Sequence, residues 1–318
     1  MAKKEKIDYS GEIKRLNAEG PQRLYLLYGE ESYLREAFFA QVKKLCIGDA
    51  DEGFDYRRLD GGAMTVSDFA EAIDAVPFLT ARTLVEVRGF DINHCREADA
   101  DYLKRLISDL PDYCTAVFIQ SEGDDPDGRL ARVKAMKKNG SALCFTAQDE
   151  AALSRWIAKR FAALGKSISR DDAEYLIFCA GTLMNGLVSE IEKLAAGSKG
   201  PAVTRADIDL MVQRIPEADV FEMVDMLGLG KFDMAASRLS ALLATREEPI
   251  KLLALIGMQM RRIYAVKIAE RARFTRQRAM ELAGVKYDFQ YRKLLDSARR
   301  YTVAEIRSDV RLCADYDY

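Results

Sequence analysis

Histidine is almost missing: the 318 residues contain one, His94. That excludes any metal site built on two or more imidazoles and leaves a Ser-His-Asp or Cys-His arrangement a single candidate base. His94 lies in the polar stretch DINHCREADAD, which reads as a loop, and nothing nearby supplies a nucleophile's context, so it is expected to be solvent-exposed and structural. Cysteine is sparse and scattered: Cys46, Cys95, Cys114, Cys144, Cys179 and Cys313 show no CxxC spacing. A chain of this length needs no disulfide staples, so these read as reduced, mostly buried thiols. No run of eighteen residues is free of charge, and the opening MAKKEKIDYSGEIKRLNAEG has no apolar segment behind its lysines. Neither a spanning helix nor a signal peptide is expected, which places the protein in the cytoplasm. No metal and no cofactor is expected.

The remaining composition is globular: 48 Lys plus Arg against 50 Asp plus Glu, with 49% hydrophobic and 31% charged residues. The length suits two or three domains, each with its own core. Charge is uneven along the chain. Residues 251–318 carry 15 Lys or Arg against 8 Asp or Glu. Arg261, Arg262, Lys267, Arg271 and Arg273, followed by Arg276 and Arg278, are either a solvated helical face or a patch for DNA phosphates. Such a patch would be electrostatic and not base-reading, since no recognition-helix motif accompanies it.

Residues 1–147 alternate between strand-like and helix-like stretches. Strands are predicted over Leu24–Gly29, Phe54–Gly61, Thr83–Gly89, Thr115–Gln120 and Ser141–Ala147, several as nearly continuous apolar runs of the kind found in parallel sheets covered on both faces. Helical spacing fills Ser32–Cys46, Val66–Val76, Asp101–Leu110 and Leu130–Lys138. The alternation predicts a three-layer α/β domain.

From about residue 148 the strand signals stop. Leu153, Trp156, Ile157, Phe161 and Leu164 share a helical face stopped by Gly165, and Ser169 with Asp172 resembles a cap for a helix over Asp171–Cys179. Helices over Asn185–Ala195 and Thr204–Ile215, the latter opened by Thr204 with Asp207, complete a small helical domain over 148–215. Ile215-Pro216-Glu217 breaks the pattern. Longer helices follow over Val220–Leu229, Phe232–Thr245, Pro249 to about Ala272, Arg276–Ala283, Phe289–Tyr301 and from Val303. Ile250–Met260 is apolar on nearly every face and is expected to be buried among other helices.

The first predicted strand ends at Gly29, where a P-loop protein would begin GxxxxGK[ST]. Counting from Gly29, the second glycine is Leu34, the lysine is Arg35 and the hydroxyl is Glu36, while Glu30 and Glu31 stand where phosphates need amides and positive charge. Nor do the later strands end in acids placed to hold magnesium: TLVEVRGFD reaches Arg88 and Gly89, and TAVFIQSEG reaches Gln120 and Ser121 before Glu122. The loop is in the right place with the wrong chemistry.

LYLLYGEESYLREAFFAQVKK, then AVPFLTARTLVEVRGF, then DVFEMVDMLGLGKFDMAASRLSALLATREEPIKLLALIGMQMRRIYAVK resemble, in register over nearly the whole chain, the delta-subunit family of bacterial DNA polymerase III, the HolA family. The resemblance implies an AAA+-like domain of the P-loop NTPase fold with a degenerate nucleotide site, a small helical lid domain over 148–215 and a helical collar domain over 216–318. It implies membership of the clamp loader with delta-prime and the ATP-hydrolysing gamma or tau subunits. The role implied is non-catalytic: to bind and open the beta sliding clamp for loading onto primer-template DNA. In this family the grip comes from two adjacent hydrophobic residues before a Ser/Ala-Arg step into a strand, which here are Phe78 and Leu79, between Pro77 and Thr80-Ala81-Arg82. Physically, Pro77 ends the helix from Val66, and two successive apolar side chains in a short connection do not readily enter one core; they either stand out as an anchor or cover the sheet edge. The family pattern continues past RLCADYDY into a lysine-containing turn and another helix, so the resemblance implies a collar lacking its final helix at Tyr318.

Two other readings compete: an NTPase with unusual phosphate chemistry, which Glu30, Glu31 and Leu34 oppose, and a nucleic-acid-binding helical adaptor without clamp function, whose sign would be salt-sensitive DNA binding. With this phosphate loop, the purified chain incubated with magnesium and ATP is expected to release no phosphate above the blank. Sustained turnover in that assay would show that the loop supports phosphate chemistry after all.

Overall fold

Five strands, joined by four helical crossovers, build one parallel sheet. The computed structural model describes residues 7–48, 52–244 and 248–316. In chain order the elements of the first part are α1 (Tyr9–Glu19), β1 (Leu24–Tyr28), α2 (Ser32–Ile47), α3 (Glu52–Asp55), β2 (Tyr56–Asp60), α4 (Val66–Asp74), β3 (Thr83–Arg88), α5 (Glu97–Ser108), β4 (Cys114–Ile119), α6 (Ala131–Asn139) and β5 (Ser141–Cys144). The strand order is β2-β3-β4-β1-β5. Register pairs Leu24 with Ala116 and Tyr25 with Ser141, so β1 lies between β4 and β5, while Tyr56 pairs with Leu84 at the other edge.

The period of two in β1 explains its unbroken apolar run. Leu24 and Leu26 join Phe69, Ile73, Val85, Val87, Phe118 and Met136 in the core on one face. Tyr25 meets Phe38 of α2 edge to face, with ring centroids 5.6 Å apart. All of β4 is buried, whereas edge strand β2 exposes Arg57 and Arg58. A capping box of Thr65 and Asp68 starts α4. The strand predicted from Phe54 begins only at Tyr56, because Phe54 and Asp55 belong to the short α3.

The second part contains α7 (Glu150–Ala163), β6 (Ser167–Ile168), α8 (Arg170–Ala180), α9 (Met184–Gly197), β7 (Ala202–Val203), α10 (Arg205–Met211), α11 (Pro216–Gly228), α12 (Phe232–Ala244), α13 (Pro249–Arg271), α14 (Arg276–Ala283), α15 (Asp288–Arg300) and α16 (Val303–Tyr316). The chain forms two compact units: residues 1–149 with Leu183–Asn185, and residues 150–182 with 186–318. In the helical unit Ser169 caps α8 and Thr204 with Asp207 forms a capping box on α10. Pro216 takes the first position of α11, where its missing amide costs nothing. Arg214 and Arg238 tie the start of α11 to its neighbours: Arg214 pairs with Asp209 and Glu222, and Arg238 with Asp219 and Glu222.

Three expectations for the helical half need correction. Strands do occur there: β6 and β7 pair in parallel, but two residues each are too few to show a period. The helix expected over Thr204–Ile215 stops at Met211. Helix α13 is buried at Leu252, Gly257, Gln259 and Met260, yet Ile250, in its first turn, is exposed. Thr245, expected to end the preceding helix, lies outside the described residues. All six cysteines are free, four of them buried, and His94 is exposed beside Asp91. Among the described residues no helix is long and apolar enough to cross a membrane.

The ring of Phe118 is fully buried, 5.1 Å from that of Phe69 and 6.2 Å from that of Phe90. Phe118→Ala is expected to destabilise the α/β unit by about 3–5 kcal/mol, read from the shift of its urea transition. Leu164→Ala, at an exposed helix end, should stay within about 0.5 kcal/mol.

Candidate interaction site

The turn after β1 is the place where a P-loop would hold phosphate, and here its polar groups are used internally. Gly29 has φ +109°, and a Cβ there would lie 2.4 Å from the Phe145 carbonyl oxygen. The Glu31 amide donates to that carbonyl (3.0 Å), the Phe145 amide donates to the Tyr28 carbonyl (2.8 Å), and the Ala147 amide donates to the Glu30 carboxylate (3.1 Å). The turn is thus fastened to the chain leaving β5. Leu34 is buried in the core, and Arg35, also buried, donates from Nη1 to the Gly29 carbonyl at 2.8 Å. The Glu31 carboxylate is 1% exposed and accepts the Met184 amide at 3.3 Å; burial pushes its pKa up. A buried carboxylate and an amide bonded to the Phe145 carbonyl thus stand where a P-loop places open amides and positive charge.

Glu36, at the position of the P-loop hydroxyl, is part of an ion-pair cluster. Its two oxygens accept from Nη1 and Nη2 of Arg88, both at 2.7 Å, a bidentate pair between α2 and the end of β3. Nε of Arg88 donates to the buried Glu86, which also accepts from the Tyr56 hydroxyl. A buried carboxylate survives only when paired in this way. Hydrogen bonding to Arg88 holds the Glu36 pKa below the ordinary carboxylate value, and the same bonds raise that of Arg88.

Phe78 and Leu79 lie in the connection from α4 to β3, 76% and 50% exposed, next to exposed Val76. They do not cover the sheet edge. Their connection is held from below by Asp55, which sequence reasoning missed. Asp55 Oδ1 accepts the Phe78 amide (2.6 Å), and Oδ2 accepts the amides of Leu79 (2.6 Å) and Thr80 (2.7 Å). The Thr80 hydroxyl lies 2.9 Å from Oδ2 and 2.7 Å from the Arg82 carbonyl oxygen. Burial pushes the Asp55 pKa up, but these donors outweigh it and hold the carboxyl below its ordinary value. Phe54, also missed and 54% exposed, sets its ring 5.6 Å from that of Phe78. No local pattern could reveal the pair, since their contacts lie more than twenty residues away.

The five basic residues singled out do not share one helix face. At about 100° per residue, Lys267 and Arg271 of α13 stand one turn apart on one side, Arg261 lies partway round and Arg262 roughly opposite Arg271. Arg262 is half-buried, and burial lowers its pKa. Arg261, Arg271 and Arg273 are exposed, Arg273 with φ 56° just past the helix end.

A parallel sheet of order β2-β3-β4-β1-β5, with a loop-and-helix at the phosphate-binding position, defines an AAA+-like α/β domain, here joined to a helical unit. Comparison with known proteins agrees. The model of "DNA polymerase III, delta subunit" matches residues 25–148 and that of the delta subunit's C-terminal domain matches residues 217–318. The DNA polymerase III subunit delta of Bacillus subtilis is 25% identical over 307 residues, covering 93% of this chain and 86% of the relative. A probable subunit delta of Aquifex aeolicus is 20% identical, covering 91% and 82%. Among solved structures, the Bacillus subtilis DNA clamp loader delta protein superposes with a TM-score of 0.54 at 21% identity, covering 98% of this chain and 93% of that one, a likeness of fold. The chain belongs to the DNA polymerase III delta-subunit family.

The Glu36–Arg88 pair makes stability depend on pH. Because the folded pKa of Glu36 is depressed, its contribution is full above the ordinary carboxylate range and is lost as pH falls through the lowered folded value. Glu36→Gln is therefore expected to lower stability at pH 7, with the gap to the unaltered chain narrowing as pH falls through the acidic range in urea titrations. A gap independent of pH would show that the pair contributes nothing through charge.

Proposed function

We propose that this protein is the clamp-loader subunit that grips the sliding clamp and opens one of its interfaces, without hydrolysing ATP itself. The observation that carries this reading is the pair Phe78 and Leu79, adjacent, apolar and exposed at a tethered turn, at the positions where the family resemblance puts the clamp anchor. A pair of this kind fills an apolar pocket on a partner and dominates binding energy. The closed turn at Gly29, with Glu31 buried beside it, supports the absence of nucleotide chemistry. Opening follows from differential affinity: a grip that fits a sprung interface better than a closed one shifts the clamp toward opening.

Residues 148–215 would serve as lid and 216–318 as collar, joining delta-prime and the gamma or tau subunits. The exposed residues Arg261, Arg271 and Arg273, with Lys267, would face the phosphates of primer-template DNA in the assembly, while Arg262 is the weakest candidate of the five. A contact of this type would be electrostatic and would weaken steeply with salt.

The test is binding of the purified chain, without ATP, to the sliding clamp of the same organism. Phe78→Ala/Leu79→Ala, shown to be folded, is expected to lose at least about 2 kcal/mol of binding free energy. An unaltered chain that binds DNA but no clamp would favour the adaptor reading instead. Equal binding by chain and variant would move the anchor elsewhere.

A further inference from the structure

Asp55 is 1% exposed, and all four of its neighbouring donors belong to the loop 78–80. Three consecutive backbone amides converge on one carboxylate, an anion nest whose anion is supplied by the chain. Hydrogen bonds to an ionised acceptor are the strong kind, and three of them here are 2.6 to 2.7 Å long. Such an arrangement fixes the backbone of residues 78–80 while their side chains gain nothing from it: Phe78 and Leu79 remain turned to solvent. A buried carboxylate spent on holding two apolar side chains outward makes sense only if their shape matters to a partner. The residue before Asp55 strengthens this, because the exposed ring of Phe54 lies against that of Phe78 at an interplanar angle of 30°.

We propose that Asp55 is a positioning residue for clamp binding, pre-shaping residues 78–80 through its carboxylate, and that Phe54 widens the anchor to a three-residue apolar surface with Phe78 and Leu79. This rests on the clamp-binding reading above. A loop already in its bound shape spares the partner the entropy of ordering it, so affinity depends on a group that never touches the clamp.

The experiment measures affinity of the full chain for the sliding clamp, without ATP, for Asp55→Asn, Phe54→Ala, Phe78→Ala and the Asp55→Asn/Phe78→Ala double variant, each checked by circular dichroism. Asp55→Asn keeps the shape but replaces one acceptor oxygen by a donor facing the amides. It is expected to bind about tenfold or more weakly, and Phe78→Ala is expected to cost less in its background than in the unaltered chain. Phe54→Ala is expected to weaken binding several-fold. That loss of additivity is the signature of positioning; a purely structural role leaves the two effects additive and overturns the proposal, as does unchanged affinity for Asp55→Asn. Unchanged affinity for Phe54→Ala removes Phe54 from the anchor. If Asp55→Asn does not fold, Thr80→Val replaces it, and undiminished binding by that variant overturns the proposal. An unaltered chain that binds no clamp overturns the clamp reading itself and this inference with it; binding lost through Phe78→Ala but not through Asp55→Asn overturns only the inference.

Discussion

The turn between β1 and α2 constrains the rest of the α/β unit. Phe145 sits so close to Gly29 that any side chain there would strike its backbone, and the Glu31 amide is bonded to the Phe145 carbonyl of the chain leaving β5. In a P-loop protein the same turn is a cradle whose amides are left open for phosphate. Here it is a clasp, with Leu34 in the core, Arg35 bonded back to Gly29 and Glu31 buried as an acceptor for the Met184 amide. Each of these substitutions removes a phosphate contact and also adds an internal one. The position that a P-loop would occupy is part of the unit's own packing.

With that end of the sheet closed, the exposed apolar residues lie at the other end. All five strands are parallel, so the turn after β1 lies at their carboxyl ends, whereas the connection into β3 and the short helix before β2 lie at their amino ends. Ligands of open parallel sheets ordinarily occupy the carboxyl ends. Register explains how the opposite end is organised: Tyr56 pairs with Leu84, which puts the residue before β2 level with the start of β3. Asp55 is therefore within reach of residues 78–80 through sheet pairing alone. The ion pairs of Glu86 and Arg88 brace β3 against β2 and α2 between the two ends.

Much of this was legible in the sequence, and the parts that were not share a cause. Continuous apolar runs marked β1, β3 and β4, because a strand covered on both faces needs apolar residues at every position. Ser169, Thr204 and Pro249 marked helix starts, since the physics of a cap or a first-turn proline is local, whereas Pro216, expected only to break the pattern, opens α11 four residues before the helix expected from Val220. Gly29, Leu34, Arg35 and Glu36 could be counted against a P-loop template without knowing any contact. Phe54 and Asp55 could not be read this way: FDYRRLDG looks like one strand, and the partners that make Asp55 distinctive are Phe78, Leu79 and Thr80. The basic stretch shows a different limit: Arg261 and Arg262 are adjacent in sequence, yet a helix turns them about 100° apart, so a charge count does not say which residues share a face.

A binding-driven opener must be stiff where it touches its partner. A ligand displaces an equilibrium only by the difference in its affinity for the two states, and a loop that adapts equally well to both has no such difference. Phe78 and Leu79 on a freely moving connection could bind a clamp without preferring the sprung form. The Asp55 carboxylate removes that freedom with bonds to three successive amides, and it does so from an element fixed to the sheet. On the proposed function, the fold then needs no nucleotide cycle of its own. On that reading a loop held in one shape would serve as the anchor, and whether it is presented at a given moment would be left to the ATP-hydrolysing neighbours.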